Sequence, residues 1–455
     1  MAEASAAEDE ELDHARVDAV LEAVDAGNAA RVTALLQPLH AADIADLLEQ
    51  IGAADRSALL ALWSGEFDGD VLSELSDAIR EEVIDALPPE VVAGALRELE
   101  SDDLVDIVED MDARDQGKLL DAMDAADRLA VELALAYPED SAGRLMQREV
   151  VVAPEHWTVG EAINHLRGAE HLPDQFYHVI LVDPRMEPVG YVTLGRILSS
   201  RREVKLADIL EDSFRTVDAT EPEADVAYMF NHYHLISCPV VDAGGRLVGV
   251  ITIDDAMTVQ DEEHQSDMLR MAGVGDESSL SDRVLETTRQ RFPWLFVNLL
   301  TAILASLVIA QFEYAISELV ALAVLMPIVA SMGGNAATQS LTVAVRALAT
   351  RDLTQANMGR VILRETVVGL LNGVIFAVVV GLVSWGWFGD PMLGLVIAAA
   401  MVVNLLVAGM AGILVPVMMD RAGVDPALAS GTFVTTVTDV VGFFVFLGLA
   451  AVVLL

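Results

Sequence analysis

Asp439 is a lone carboxylate near the middle of the apolar stretch 428–455, within Thr435-Thr-Val-Thr-Asp-Val-Val-Gly442, and no lysine or arginine in that stretch neutralises it. A charge in such surroundings is costly unless it meets protein, water or an ion. A cation is its natural partner; the competing reading is a protonated aspartate in a small-residue helix contact. A second polar patch interrupts an earlier apolar stretch, Pro327-Ile-Val-Ala-Ser-Met-Gly-Gly-Asn-Ala-Ala-Thr-Gln339. Here proline and the pair Gly333 and Gly334 are expected to break the helix and expose carbonyls, while Asn335, Thr338 and Gln339 supply further polar oxygens. Oxygen ligands of this kind suit hard cations such as magnesium, which keeps several of its waters.

Other candidates lie in polar sequence. Asp102 and Asp106 are four apart and so share a helix face, with Asp103, Glu109 and Asp110 adding to the negative field. Like charges crowded in this way repel unless solvent or cations screen them. Glu263 and Asp267 repeat the spacing in a polar, helical stretch that also holds Asp261 and Glu262. His232, His234 and Cys238 have the residue types of a zinc site, but their spacing spreads them over a helix end and a strand, which favours packed or solvated histidines. Cys238 is the only cysteine, so it forms no intrachain disulfide and reads as a buried core residue.

The elements that must position these groups fall into two halves. Of 71 acidic and 27 basic residues, only 8 acids and 5 bases follow Arg291. Five apolar stretches lie there, at 292–310, 319–345, 361–387, 392–419 and 428–455. Each is long enough to cross a hydrocarbon core of roughly 30 Å. Arg283, Arg289 and Arg291 precede the first stretch, Arg346, Arg351, Arg360 and Arg364 surround the second connection, and Arg421 lies in the fourth; the other two connections have no basic residue. Positive loops stay in the cytoplasm, so the N-terminus is expected inside and the C-terminus outside. The start of the chain has neither a basic nor an apolar leader segment, and no signal peptide is expected. The acidic half repels nucleic acid and anionic lipid; a surface adapted to concentrated salt would also explain part of the excess.

Within that half, HVILVDPRMEPVGYVTLGRIL and CPVVDAGGRLVGVITIDDAM form an approximate repeat of strand, turn, strand and helix start. The repeat resembles a pair of CBS modules, which sense and do not catalyse. In modules of this kind that bind adenine nucleotides, a threonine and an aspartate three residues later contact the ligand. Thr252 and Asp255 fit that pattern, with helix capping by Thr252 as the alternative; the first module has Thr193 followed by Arg196. The preceding region, with segments such as LHAADIADLLEQIGAADRSALLALW, shows repeated short amphipathic patterns and no alternation, which implies an α-superhelical domain.

The run PIVASMGGNAATQSLTVAVRALATRDL, then RETVVGLLNG, then RAGVDPALASGTFVTTVTDVVG, resembles the membrane domain of MgtE magnesium transporters, with the motifs in the family's order. The resemblance implies an acidic N-terminus at 1–11, an N domain at 12–138, CBS modules at 139–200 and 201–258, a connecting or plug helix at 259–291 and a five-helix all-α pore domain at 292–455. It makes Asp439 the central pore ligand of a homodimer, with Gly333, Gly334 and Asn335 lining the ion path and Asp425 at the cytoplasmic mouth. Asp102, Asp106, Asp255, Glu263 and Asp267 become sensor ligands for cytosolic magnesium, although His234, Thr258 and Ser266 stand where the family pattern carries acids. The implied function is Mg2+ uptake across the cell membrane, gated closed by cytosolic Mg2+, with ATP or another adenine nucleotide a candidate ligand of the CBS pair. No P-loop is present, and nothing points to catalysis or to an obligatory protein partner. A membrane-anchored CBS nucleotide sensor without transport is the alternative; an intramembrane aspartyl protease would need a second carboxylate beside Asp439.

Overall fold

The computed structural model describes residues 12, 14–63, 65, 67–97, 99–109, 111, 116–117, 119–120, 123, 125–169, 172–173, 176–274 and 284–455. Segment 1–11, Asp110 and Arg283 lie outside the described residues. The chain divides into two compact units, Met1–Asp261 and Glu262–Leu455.

The first unit begins with short helices: α1 (His14–Asp25), α2 (Ala29–Leu36), α3 (Ala41–Gln50), α4 (Ala53–Trp63), α5 (Asp70–Ser73), α6 (Asp77–Ala86), α7 (Pro89–Ala95), α8 (Ser101–Glu109) and α9 (Ala125–Ala134). Their starts are written locally: Asn28 accepts a hydrogen bond from the Arg31 amide at 3.1 Å to cap α2, and Pro89 opens α7, where a missing N–H costs nothing. Their apolar faces meet in one continuous core that includes Leu36, Leu47, Leu59, Leu72, Val83 and Ile107.

A recurring device joins successive helices. The last carbonyls of any helix lack intrahelical donors. Arg56, in the first turn of α4, donates to the Leu48 and Ile51 carbonyls at the end of α3, at 2.8 and 3.1 Å, and pairs with Glu82. Arg80, in the first turn of α6, donates to the Leu72 carbonyl of α5 at 3.0 Å. Gln116 does the same for Val108 of α8 at 2.9 Å. In each case the donor follows its acceptor by eight residues, so one backward clamp fixes the turn between neighbours and generates the superhelix.

After α10 (Ala142–Leu145) come two copies of one three-stranded sheet. The first holds β1 (Val152–Pro154), β2 (His178–Val182) and β3 (Pro188–Thr193), with α11 (Val159–Gly168) between β1 and β2 and α12 (Leu194–Ser199) after β3. The second holds β4 (Val217–Asp218), β5 (Ser237–Val241) and β6 (Leu247–Thr252), with α13 (Glu223–Tyr233) between β4 and β5. In both, the first pair is parallel, the second antiparallel, and the register shifts at the equivalent places, Leu181/Val182 and Val240/Val241. The expected internal repeat is therefore a structural repeat. Helix α14 (Ile253–Met271) leaves β6 directly and runs unbroken past Thr258.

The second unit is built from α15 (Val284–Ala310), α16 (Glu313–Glu318), α17 (Ala321–Ala349), α18 (Met358–Phe388), α19 (Pro391–Arg421) and α20 (Pro426–Val453). Five segments of these helices are long and apolar enough to cross a membrane: Thr287–Ala310, Ala321–Ala349, Met358–Phe388, Pro391–Arg421 and Gly431–Val453. Asp390 and Asp425 cap α19 and α20, each followed by a proline at the first helical position. Helix α19 is the centre of this unit, with 56% of its most apolar window buried against at most 28% for any other span. It gets there through glycine: a Cβ on Gly369 of α18 would lie 2.5 Å from the Leu405 carbonyl, and one on Gly409 of α19 would lie 2.6 Å from the Glu365 carbonyl. Backbones that close require hydrogen as the side chain.

The expected break in the second span is not there. Helix α17 is continuous through Pro327, Gly333 and Gly334. Proline removes one hydrogen bond early in the helix, and neighbouring helices absorb the loss; the role of Gly333 is close packing, described below.

Replacing Arg56 with methionine keeps the buried stem and removes the clamp, leaving two carbonyls unpaired. The expected cost is about 2–3 kcal/mol, read as a lower denaturant midpoint for the far-ultraviolet transition of the soluble unit, with the membrane helices unaffected.

Candidate cation sites

Acids gather in the first unit where α8 begins. Asp102 is 9% exposed, and its carboxylate accepts from the Asp103 amide at 3.1 Å. Ser101 donates to Glu149 at 2.8 Å and accepts from the Arg148 amide at 2.8 Å, while the Gln147 side chain donates to Glu100 at 2.8 Å. These bonds tie α8 to the segment before β1. From the start of α14, Asp255 adds its carboxylate, which accepts from the Thr252 hydroxyl at 2.6 Å and the Thr252 amide at 3.2 Å. The Thr252 hydroxyl thus donates to Asp255.

The electrostatics follow from burial without a counter-ion. Burial, then Glu149, Asp255 and Asp254, pushes Glu100 up to about 7. Burial, then Asp255 and Glu100, does the same to Asp103. Asp102 is held well above the carboxylate range by burial first and then by Asp255, Asp103 and Glu100. Asp255 is raised by burial, against the Thr252 hydroxyl that lowers it. Such a cluster is comfortable when protonated or when a cation sits among its oxygens. It is a loose cluster: among the described residues, no three His, Cys, Asp or Glu side chains converge into a ready-made metal cage.

The structure separates the Asp102 and Asp106 pair. Asp106 is exposed and bonds Arg80 at 3.2 Å, which also lies 3.6 Å from Asp77. Glu109 pairs with Arg144. Asp102 joins Asp255 while Asp106 already has a cation, a distinction that helical spacing does not encode.

Between the two sheets lies a cleft of about 320 Å3, counting its open part, lined by residues that include Gln147, Tyr177, His178, Ser237 and Thr252. His178 hydrogen-bonds the Ser237 hydroxyl across the two modules, and burial lowers it to about 4, so the imidazole is neutral there. In the first module Thr193 caps α12 by accepting from the Arg196 amide at 3.3 Å, and Arg196 pairs with Glu211 at 3.0 Å. His232 stacks on Tyr228, His234 ends α13 in a left-handed conformation, and burial, reinforced by Glu221, pushes the Cys238 thiol up to about 12. These three do not assemble into a ligand set.

In the second unit Arg270 bonds Asp425 at 2.8 Å, while the other oxygen of Asp425 caps α20 through the Ala427 amide at 2.8 Å. Asp267 is raised by burial and then by Asp425, with Arg270 and His264 opposing. Glu263 is half-buried one turn earlier on α14. In the bundle, Asn335, Thr338 and Gln339 share one open face of α17, with the Thr338 hydroxyl donating to the Gly334 carbonyl at 2.9 Å. Helix α17 packs beside α20, where the Thr435 methyl would lie 3.8 Å from a Cβ on Gly334. Asp439 is half-buried.

Buried polar residues outside the candidate set include Glu365, which lies in the RETVVGLLNG run, Asn404 and Ser384. Glu365 of α18 accepts from Ser340 of α17 at 3.1 Å, and Asn404 of α19 is fully buried. The rule that flagged Asp439, a polar side chain inside an apolar span, would have flagged both.

Comparison with known proteins places these features. A family model described as a divalent cation transporter matches residues 326–449, the MgtE intracellular N domain matches 39–140, and CBS domains match 142–203 and 206–262. The chain is 32% identical over 439 residues to the magnesium transporter MgtE of Thermus thermophilus, covering 95% of this chain and 97% of that one. It is 34% identical over 317 residues to the MgtE of Enterococcus faecalis, covering 70% of each. A crystal structure of the cytosolic domain of the Mg2+ channel MgtE in complex with ATP aligns at a TM-score of 0.50 and 29% identity, covering 53% of this chain and 99% of that one.

Glu100 and Asp103 bind protons more tightly folded than unfolded, so their stabilising contribution is full below about pH 4 and is lost as pH rises through about 7. In chelator, the melting midpoint of the soluble unit of the full chain should fall by roughly 5 °C between about pH 5 and about pH 8. Millimolar magnesium should restore it mainly at the higher pH. The double variant Glu100→Gln, Asp103→Asn should flatten this slope; an unchanged slope would place its origin elsewhere.

Proposed function

The chain belongs to the MgtE family of magnesium transporters, and on that premise we propose that it conducts Mg2+ through a homodimeric, multi-pass membrane pore that cytosolic Mg2+ closes. The observation that carries the pore is Asp439, a half-buried carboxylate whose own span holds no lysine or arginine and packs against α17, the helix with the open polar face. Asn335, Thr338 and Gln339 on that face and the carboxylate of Asp439 form the ion path. The arginine distribution supports a cytoplasmic N-terminal unit and an extracytoplasmic C-terminus.

Gating rests on the acids around α8 and along α14. Cytosolic Mg2+ binds Asp102 and Asp255 with their neighbours, and Asp106, Glu263, Asp267 and Asp425 contribute as the N domain, CBS pair and plug helix close. When Mg2+ falls, these carboxylates repel and the closed state loses its support. A ligand moves such an equilibrium only by preferring one state, and a swing from 1:99 to 99:1 takes about 5.5 kcal/mol of preference, which several weak ions supply together. Entry down the membrane potential needs no hydrolysis, so the activity is transport and not catalysis. The cleft beside Thr252 and Asp255 supports an adenine nucleotide as a second regulator, in line with the ATP held by the related cytosolic domain.

Mg2+ flux into proteoliposomes tests both parts. Wild-type protein should conduct at low cytoplasmic Mg2+ and be suppressed at high Mg2+, and Asp439→Asn should cut flux by on the order of a hundredfold with the sensor's Mg2+ binding intact. Neutralising Asp102, Asp106, Glu263 and Asp267 together should shift the inhibitory Mg2+ concentration upward. Absence of wild-type flux, with nucleotide binding retained, would favour a membrane-anchored sensor without transport.

A further inference from the structure

Asn404 lies on α19, which carries none of the ion-path motif, yet it touches both helices that do. It is fully buried, and its side-chain amide donates to the Val329 carbonyl of α17 at 2.8 Å. The amide is flat against two glycines. A Cβ on Gly333 of α17 would stand 2.3 Å from its nitrogen, and one on Gly442 of α20 would stand 3.0 Å from both its nitrogen and its oxygen. Gly333 is two residues before Asn335, and Gly442 is three residues after Asp439, one helical turn away. The amide oxygen is buried and has no hydrogen-bond donor among the described residues. A side chain present for packing alone would bring no unpaired acceptor into this space, so packing alone does not account for an asparagine.

We propose that Asn404 is a positioning residue for ion selectivity: wedged between Gly333 and Gly442 and bonded to Val329, it sets the register and separation of α17 and α20, and with them the spacing of Asn335 and Asp439. Magnesium demands near-ideal octahedral geometry, whereas calcium accepts irregular, larger sites. A pore whose walls are held at one spacing therefore favours magnesium, and loosening the wedge admits calcium. This inference rests on the ion-path reading of Asp439.

The test uses the full-length protein in proteoliposomes, with Mg2+ and Ca2+ flux measured separately for wild type, Asp439→Asn, Asn404→Ala and Asn404→Leu. Leucine keeps the branching at Cγ but is bulkier and lacks the donor, whereas alanine vacates the space, so whichever variant folds carries the test. Either Asn404 variant should lower the Mg2+ to Ca2+ flux ratio by on the order of tenfold, with the inhibitory cytoplasmic Mg2+ concentration unchanged. Gly333→Ala should reduce Mg2+ flux, and adding Asn404→Ala should restore part of it by vacating the space the new methyl needs. A wild-type ratio in a folded Asn404 variant, including one whose total flux has fallen, would overturn the positioning role. Absent wild-type flux, or flux indifferent to Asp439→Asn, would instead overturn the reading on which it rests.

Discussion

Helices surrounded by hydrocarbon gain little by turning leucine toward one another, because lipid is as apolar as the partner. What holds them is contact close enough for dispersion and for the occasional polar bond. In this bundle that requirement is met along α19, whose backbone lies against α18 at Gly369 and Gly409 and against α17 at Gly412, where a Cβ would sit 2.7 Å from the Ala337 carbonyl. The placement of the polar groups follows. Glu365 and Asn404 sit in these narrow contacts, each bonded to α17, whereas Asn335, Thr338 and Gln339 lie on the face of α17 that the contacts leave open.

The soluble unit handles charge by a different division of labour. Its scarce guanidinium groups stand at helix ends, where the planar fork can satisfy carbonyls and a carboxylate together; Arg56 and Arg80 do both. The acids at the start of α8 have no such neighbour among the influences that set their protonation. The groups that brace the helix ends and the carboxylates whose protonation burial shifts are thus different residues.

Much of the architecture was legible before any coordinates. Long apolar stretches, a strand-turn-strand repeat and short amphipathic periods each have one inexpensive structural solution, and the spans, the paired sheets and the helical superhelix match them. The partners of individual side chains were less so. Helical spacing correctly puts Asp102 and Asp106 on one face, but says nothing of Arg80, which comes from another helix and takes only one of them. Proline and glycine are weak helix formers in water, so the sequence around Gly333 implies broken backbone; in a packed bundle their neighbours decide, and α17 runs through. Asn404 carries no motif at all, and its meaning lies in what three helices do around it.

The glycine contacts also distribute stiffness. Where backbone rests on backbone, no side chain is present to rotate aside, so α18 and α19 behave as a single plate that resists shear. Helix α15 is held differently, with only 6% of its most apolar window buried within the chain and a proline at position 293 that removes one of its own hydrogen bonds. Bending or sliding α15 therefore breaks fewer contacts within the chain than shearing α18 against α19.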